Sequence, residues 1–140
     1  MADLSLDIFT PSKLAYSAGI KAVTVPGTAG SFQVLHNHAP IISTFEIGAI
    51  KIIVDDNKTI FFSTSGGTIE VLNNKVKILA DSLEIVNEID LDRAKAAQKR
   101  AEERLANKAV EKIDVIRAES SLARAINRIK VYDKYFNYQP

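Results

Sequence analysis

Arg93 and Arg100 lie seven residues apart, two helical turns, and share one face if their stretch is helical. Arg117, Arg124 and Arg128, spaced seven and four, share another. Guanidinium forks match pairs of phosphate oxygens. Two such rows facing each other across a helical hairpin would clamp a polyanion. The alternative is a solvated face with local ion pairs such as Asp114 with Arg117, each worth about 0.2–0.5 kcal/mol. These residues alone leave both readings open. Acids interleaved on both stretches and a net charge of only +1 argue against nucleic acid as the polyanion.

Other chemistry is thinner. "GSFQVLHNH" sets His36 and His38 two apart, six and eight residues after Gly30. That resembles the opening of the cupin metal motif. The acid this motif needs is missing, since Ile42 and Ser43 hold its place and the nearest glutamate is Glu46. Two imidazoles without a placed carboxylate make a poor metal shell, and the competing reading is a turn before Pro40. Asp55-Asp56 and Glu102-Glu103 read as solvated pairs. Gly66-Gly67 is not followed by the lysine of a phosphate loop and reads as a turn. No cysteine is present, which removes thiol catalysis, disulfides and Cys-zinc sites. Nothing assembles an acid, a base and a nucleophile, so the chain reads as non-catalytic, with no required cofactor and no metal.

Two kinds of element must position these residues. Before Glu88 the period is two. "LSLDIF", "IKAVTV", "GAIKIIV", "TIFFSTS", "TIEVL" and "KVKILAD" are rich in β-branched and aromatic residues. Pro26-Gly27, Asp55-Asp56-Asn57 and Asn73-Asn74 supply turns between them. In "TIEVLNNKVKIL", Ile69 and Val71 alternate into the Asn-Asn turn, while Val76 and Ile78 alternate out. Closely spaced strands without helices between them predict an antiparallel sandwich or flattened barrel over residues 1–86.

After Glu88 the period becomes helical. Leu91, Ala94, Ala97, Ala101 and Leu105 form one stripe, and Val115, Ala118, Leu122, Ala125, Ile126, Ile129 and Tyr132 a second. The alanines would let the two helices approach closely. Asp90 has the residue type and position of an N-cap. A weak turn falls at Asn107-Lys108, and the second helix is expected from about Glu111 to Tyr135. Residues 89–140 thus read as an antiparallel hairpin with too little core to stand alone. It needs a surface to dock on.

Charge divides along the same line. Residues 1–88 hold 6 Lys against 9 acids, net −3, and residues 89–140 hold 12 Lys and Arg against 8 acids, net +4. Such asymmetry implies different partners for the two parts. The start, Met1-Ala2-Asp3-Leu4, lacks the basic and apolar blocks of a signal peptide. The charge-free stretch 22–45 is broken by Pro26, Gly27, Gly30 and Pro40, and is too interrupted to span a membrane.

With these residues in view, the chain resembles the epsilon subunit of F-type ATP synthases along nearly its whole length. "GSFQVLHNHAP" is similar to the family's Gly-rich loop ending in His-Ala-Pro. "SGGTIEV" resembles its Ser-Gly-Gly hairpin, and "ILADSLE" a "VLAD" strand. "IDLDRA" fits the nucleotide motif [Ile/Leu]-Asp-x-x-Arg-Ala at every fixed position. The resemblance implies a ten-stranded sandwich with a C-terminal helical hairpin. It also implies a rotor subunit at the foot of the central stalk, against the gamma subunit and the ring of c subunits. In many bacterial members the extended helices reach the alpha/beta catalytic head and inhibit ATP hydrolysis. In some, ATP binds the folded hairpin. Carried over by residue, the ATP-site positions are Glu84, Ile89, Asp90, Arg93, Ala94, Arg100, Arg124 and Arg128. Ser31 and His38 fall at the ring-facing loop. Ser31 replaces an acid and His36 a proline there, and Asp92 would repel a phosphate it faced. The implied location is peripheral, on the cytoplasmic face of the bacterial inner membrane, with the stromal face of a plastid thylakoid as the alternative.

Overall fold

The computed structural model describes residues 4–107 and 112–138. Met1, Lys108 and Glu111, used above for the chain start, the turn and the second helix start, lie outside them. Ten strands run in chain order: β1 (Leu4–Thr10), β2 (Lys13–Ile20), β3 (Ala22–Val25), β4 (Phe32–Val34), β5 (Ile41–Phe45), β6 (Gly48–Asp55), β7 (Lys58–Thr64), β8 (Gly67–Leu72), β9 (Lys75–Ala80) and β10 (Leu83–Ile85). A 3-10 turn (Val86–Glu88) leads to α1 (Leu91–Ala106) and α2 (Lys112–Tyr135).

The strands form two five-stranded sheets, ordered β2-β1-β9-β8-β5 and β10-β7-β6-β3-β4. Alternation decides what fills the gap between them. Leu6, Ile8, Ile20, Val23, Ile50, Ile52, Ile69, Val71 and Ile78 are at most 1% exposed and face one another in the core. Burying each such side chain contributes about 1.5–3 kcal/mol relative to leaving it in water. The β8–β9 hairpin follows its sequence pattern, with Asn73 and Asn74 at φ 49° and 62°, as a two-residue turn requires. At Gly67 a Cβ would stand 2.0 Å from the Leu79 carbonyl oxygen, so only glycine lets β8 lie against β9 there.

Two details of the strands depart from the sequence pattern. "IKAVTV" is not one strand. β2 ends at Ile20 in the first sheet and β3 begins at Ala22 in the second, with Lys21 at the corner. The alternation continues through a corner because both flanking strands keep an apolar face toward the same core. Antiparallel pairing also has an exception: β1 pairs in parallel with β9. No tight turn joins those two, so hairpin geometry does not dictate their direction.

The helices pack as a hairpin, with Ala94 and Ala101 of α1 and Ala118 and Ala125 of α2 buried. The second stripe is displaced from its expected course. Ile126 is 45% exposed, whereas Val131 is buried. α2 turns Val131 toward the outer face of the second sheet, and the stripe follows that surface as well as α1. Phe61, Val86, Ile89 and Val131 make a small second core between helix and sheet. Beyond it the Tyr135 ring stacks on Phe61, centroids 3.9 Å apart, and Tyr138 meets Phe61 edge-on at 4.7 Å.

Candidate functional site

Arg128 is half-buried at the meeting of α2 and β10. Its Nε donates to Glu84 Oε1 at 2.8 Å and its Nη2 to Glu84 Oε2 at 3.2 Å. This two-point pairing uses the planar fork of the guanidinium against both carboxylate oxygens. Glu84 and Arg128 are thus brought together, 44 residues apart in sequence. One turn earlier on α2, Arg124 donates to Ser121 Oγ at 3.3 Å.

Arg100 joins Arg124 and Arg128 around a cleft of about 240 Å³ between the helices, and Arg104 is a fourth guanidinium on its rim. The wall is built from Ala97, Ala101, Ala118 and Ala125, and among the described residues no acid lines it. Small side chains permit the close helix approach, and the long arginine stems reach past them. The result is a positive hollow suited to an anion with several oxygens. A second hollow of about 310 Å³ lies on the other side of the same arginines, against the sandwich. Glu84, Ser65 and Ser82 line it with Arg124 and Arg128.

The "IDLDRA" positions are placed differently. Asp90 is the N-cap of α1, its Oδ1 accepting from the Arg93 N–H at 3.1 Å, an arrangement worth about 0.5–2 kcal/mol to a helix. Ile89 is buried in the second core and Ala94 is 0% exposed, so both pack. The Arg93 side chain is exposed and is not among those lining the arginine cleft. It stands seven residues before Arg100, about 10 Å along the axis. Asp92, also exposed, occupies the first turn, where the helix dipole favours an acid.

Ser31 and His38 flank β4 from opposite ends. Ser31 Oγ donates to the Val25 carbonyl at 3.3 Å. The His38 N–H closes a turn on Leu35, and Asn37, at φ 64°, ties that turn to Asn74 of the β8–β9 hairpin. His36 and His38 therefore belong to a turn, not a strand. Asp55 and Asp56 sit at the solvated β6–β7 turn. A hydrogen bond from Lys21 at 2.7 Å, and its charge, hold the Asp56 carboxyl below the usual range.

Two residues were not singled out by sequence reasoning: Arg104, on the rim of the arginine cleft, and Asn127. Asn127 Nδ2 reaches the Gly48 carbonyl at 2.9 Å, Ser63 Oγ at 3.1 Å and the Thr64 carbonyl at 3.4 Å. The available signal was an asparagine in a helix interior, where that residue is intrinsically unfavourable and needs a tertiary reason to be there.

Comparison with known proteins bears on the whole chain. Residues 3–86 match the family described as ATP synthase, Delta/Epsilon chain, beta-sandwich domain. Residues 87–133 match its long alpha-helix domain. The ATP synthase epsilon chain of Desulforamulus reducens is 44% identical over 125 residues, covering 89% of this chain and 93% of the relative. That of Bacillus licheniformis is 40% identical over 131 residues, covering 94% and 98%. The chain belongs to the epsilon-chain family of F-type ATP synthases. Its members are non-catalytic subunits of the central stalk, which removes the cupin-like alternative. The fold extends to distant structures. A chain in the Euglena gracilis mitochondrial ATP synthase OSCP/F1/c-ring assembly matches at TM-score 0.78 and 19% identity, over 91% of this chain and 79% of that one. A chain of the Tetrahymena thermophila central stalk and c-ring matches at 0.58 and 15%, over 94% and 95%. Among the described residues no helix is long and apolar enough to cross a membrane, which fits a peripheral subunit of a membrane complex.

Proposed function

We propose that the sandwich couples rotor movement to ATP synthesis by seating on the gamma subunit and the ring of c subunits, and that the helical hairpin restrains ATP hydrolysis. In this reading the helices inhibit when they extend toward the alpha/beta head, and ATP favours the docked hairpin as a regulatory ligand. The observation that carries it is the cleft of four arginines, two from each helix, which exists only while α1 and α2 are folded together. A ligand bound only by that state stabilises it by RT ln(1 + [L]/Kd), about 2.7 kcal/mol at a hundredfold excess over Kd. The subunit would then sit on the cytoplasmic face of the bacterial inner membrane. Calorimetry of the isolated subunit with ATP tests the ligand. Saturable heat that Arg100→Ala weakens is expected, and no heat at millimolar ATP would remove the nucleotide.

A second reading keeps the stalk role without a nucleotide. It is favoured by the Glu84–Arg128 pair, which fastens α2 to β10 through protein groups of its own, and by Arg93 standing outside the cleft. Rotor state alone would then decide when the helices leave. ATPase activity of the assembled complex with and without residues 89–140 separates inhibition from coupling, because activity rises on truncation only if the helices inhibit.

A further inference from the structure

Between Arg124 and Arg128, Asn127 turns into the sandwich, where it lines the second hollow beside both arginines. Gly48 is the first residue of β6 and Thr64 the last of β7, and they are direct partners in the ladder. The amide nitrogen therefore spans the end of that ladder, addressing a carbonyl on each strand and the hydroxyl of Ser63. Ser63 and Thr64 are themselves buried, at 5% and 1% exposure. The amide has one workable orientation. Flipped, its oxygen would face two carbonyl oxygens. Each residue along a helix is about 100° of rotation, so fixing Asn127 against the sheet also fixes the azimuth of α2. Arg128, the next residue, then meets Glu84, and Arg124, three back, faces the cleft.

We infer that Asn127 is the positioning residue of the arginine site: its amide locks α2 to the end of the β6–β7 ladder and thereby aims Arg124 and Arg128. It does not line the cleft between the helices, so it acts through the arginines. Its effect on affinity rests on the reading of that cleft as an ATP site; its effect on docking does not.

The test uses the full-length subunit with Asn127→Ala and Asn127→Asp. Hydrogen exchange is followed at residues 112–135, with residues 69–78 of the β8–β9 hairpin as internal reference, and ATP affinity is followed by calorimetry. Removing the amide is expected to speed exchange of α2 about tenfold, or about 1.4 kcal/mol, with the reference hairpin unchanged. Asn127→Asp should act more strongly, because a carboxylate would face two carbonyl oxygens. The ATP Kd should rise by no more than that factor, since affinity falls only in proportion to the docked fraction. Unchanged α2 exchange in both variants overturns the proposal. So does a parallel rise in the reference hairpin, which would make Asn127 a general stabiliser of the sandwich. A weaker Kd with unaltered exchange overturns it too, as that would mark direct ligand contact. If the unaltered subunit binds no ATP, the nucleotide reading fails and the exchange arm alone decides whether Asn127 locks the helix.

Discussion

The sandwich and the hairpin are held together by different physics. Between the sheets, large aliphatic side chains are buried completely, with Leu6, Ile8, Ile20, Ile50, Ile52, Ile69 and Ile78 all at most 1% exposed. Between the helices the buried residues are mostly alanines, which bury little area each. The hairpin's attachment to the sandwich is local: a small core around Phe61 and Val131, the Tyr135 ring on Phe61, the Asn127 amide and the Glu84–Arg128 pair. Bulk burial is lost all at once. A few separate tacks can be released without disturbing what lies beneath. The difference sets a fully packed scaffold beside a part attached to it at a few points.

Substitutions can break that contrast in graded steps. Ile78→Ala should have the largest effect, costing about 2–5 kcal/mol because it leaves a cavity in the main core. A denaturant titration read on the sandwich strands should show the loss, and the helices should melt with it. Tyr135→Ala should cost less, about 0.5–3 kcal/mol, and only in docking. Helical exchange should accelerate while the sandwich midpoint stays put. Glu84→Gln should be smaller again, about 0.2–1 kcal/mol, since both partners are about a third exposed and solvent screens them. Raising the salt should weaken docking of the unaltered chain and narrow its gap from the variant. Asp56→Asn should matter least. Its folded pKa is depressed by Lys21, so its contribution is present above the unfolded carboxyl value, about 3.9, and is lost as pH falls through the folded one. An acid titration of stability should show that small loss in the unaltered chain and not in the variant.

How much was legible in the sequence follows the same contrast. Strands with a buried face announce themselves: "TIEVLNNKVKIL" gave its residues, its turn and its inward side, because period-two alternation is what a half-buried strand requires. Short or edge strands do not. β4 and β10 have three residues each, too few to display a period, and β2 lies on an edge with mostly exposed or half-exposed side chains. Their number came from family resemblance. Within the site, the Asp90 cap was legible because capping is local. The arginine rows were legible as faces of helices, and the structure brings Arg100, Arg124 and Arg128 together while leaving Arg93 outside. Asn127 was not legible, because its partners lie 63 to 79 residues away and their carbonyls carry no side-chain signature.

The claim that the hairpin is a separately releasable part held closed by an anion is tested most directly by hydrogen exchange on the intact subunit with and without ATP. Amides of residues 112–135 should exchange well ahead of those of residues 69–78 in the absence of ATP, and ATP should slow the first group and leave the second unchanged. Exchange of both groups at one common rate, with no response to ATP, would contradict it.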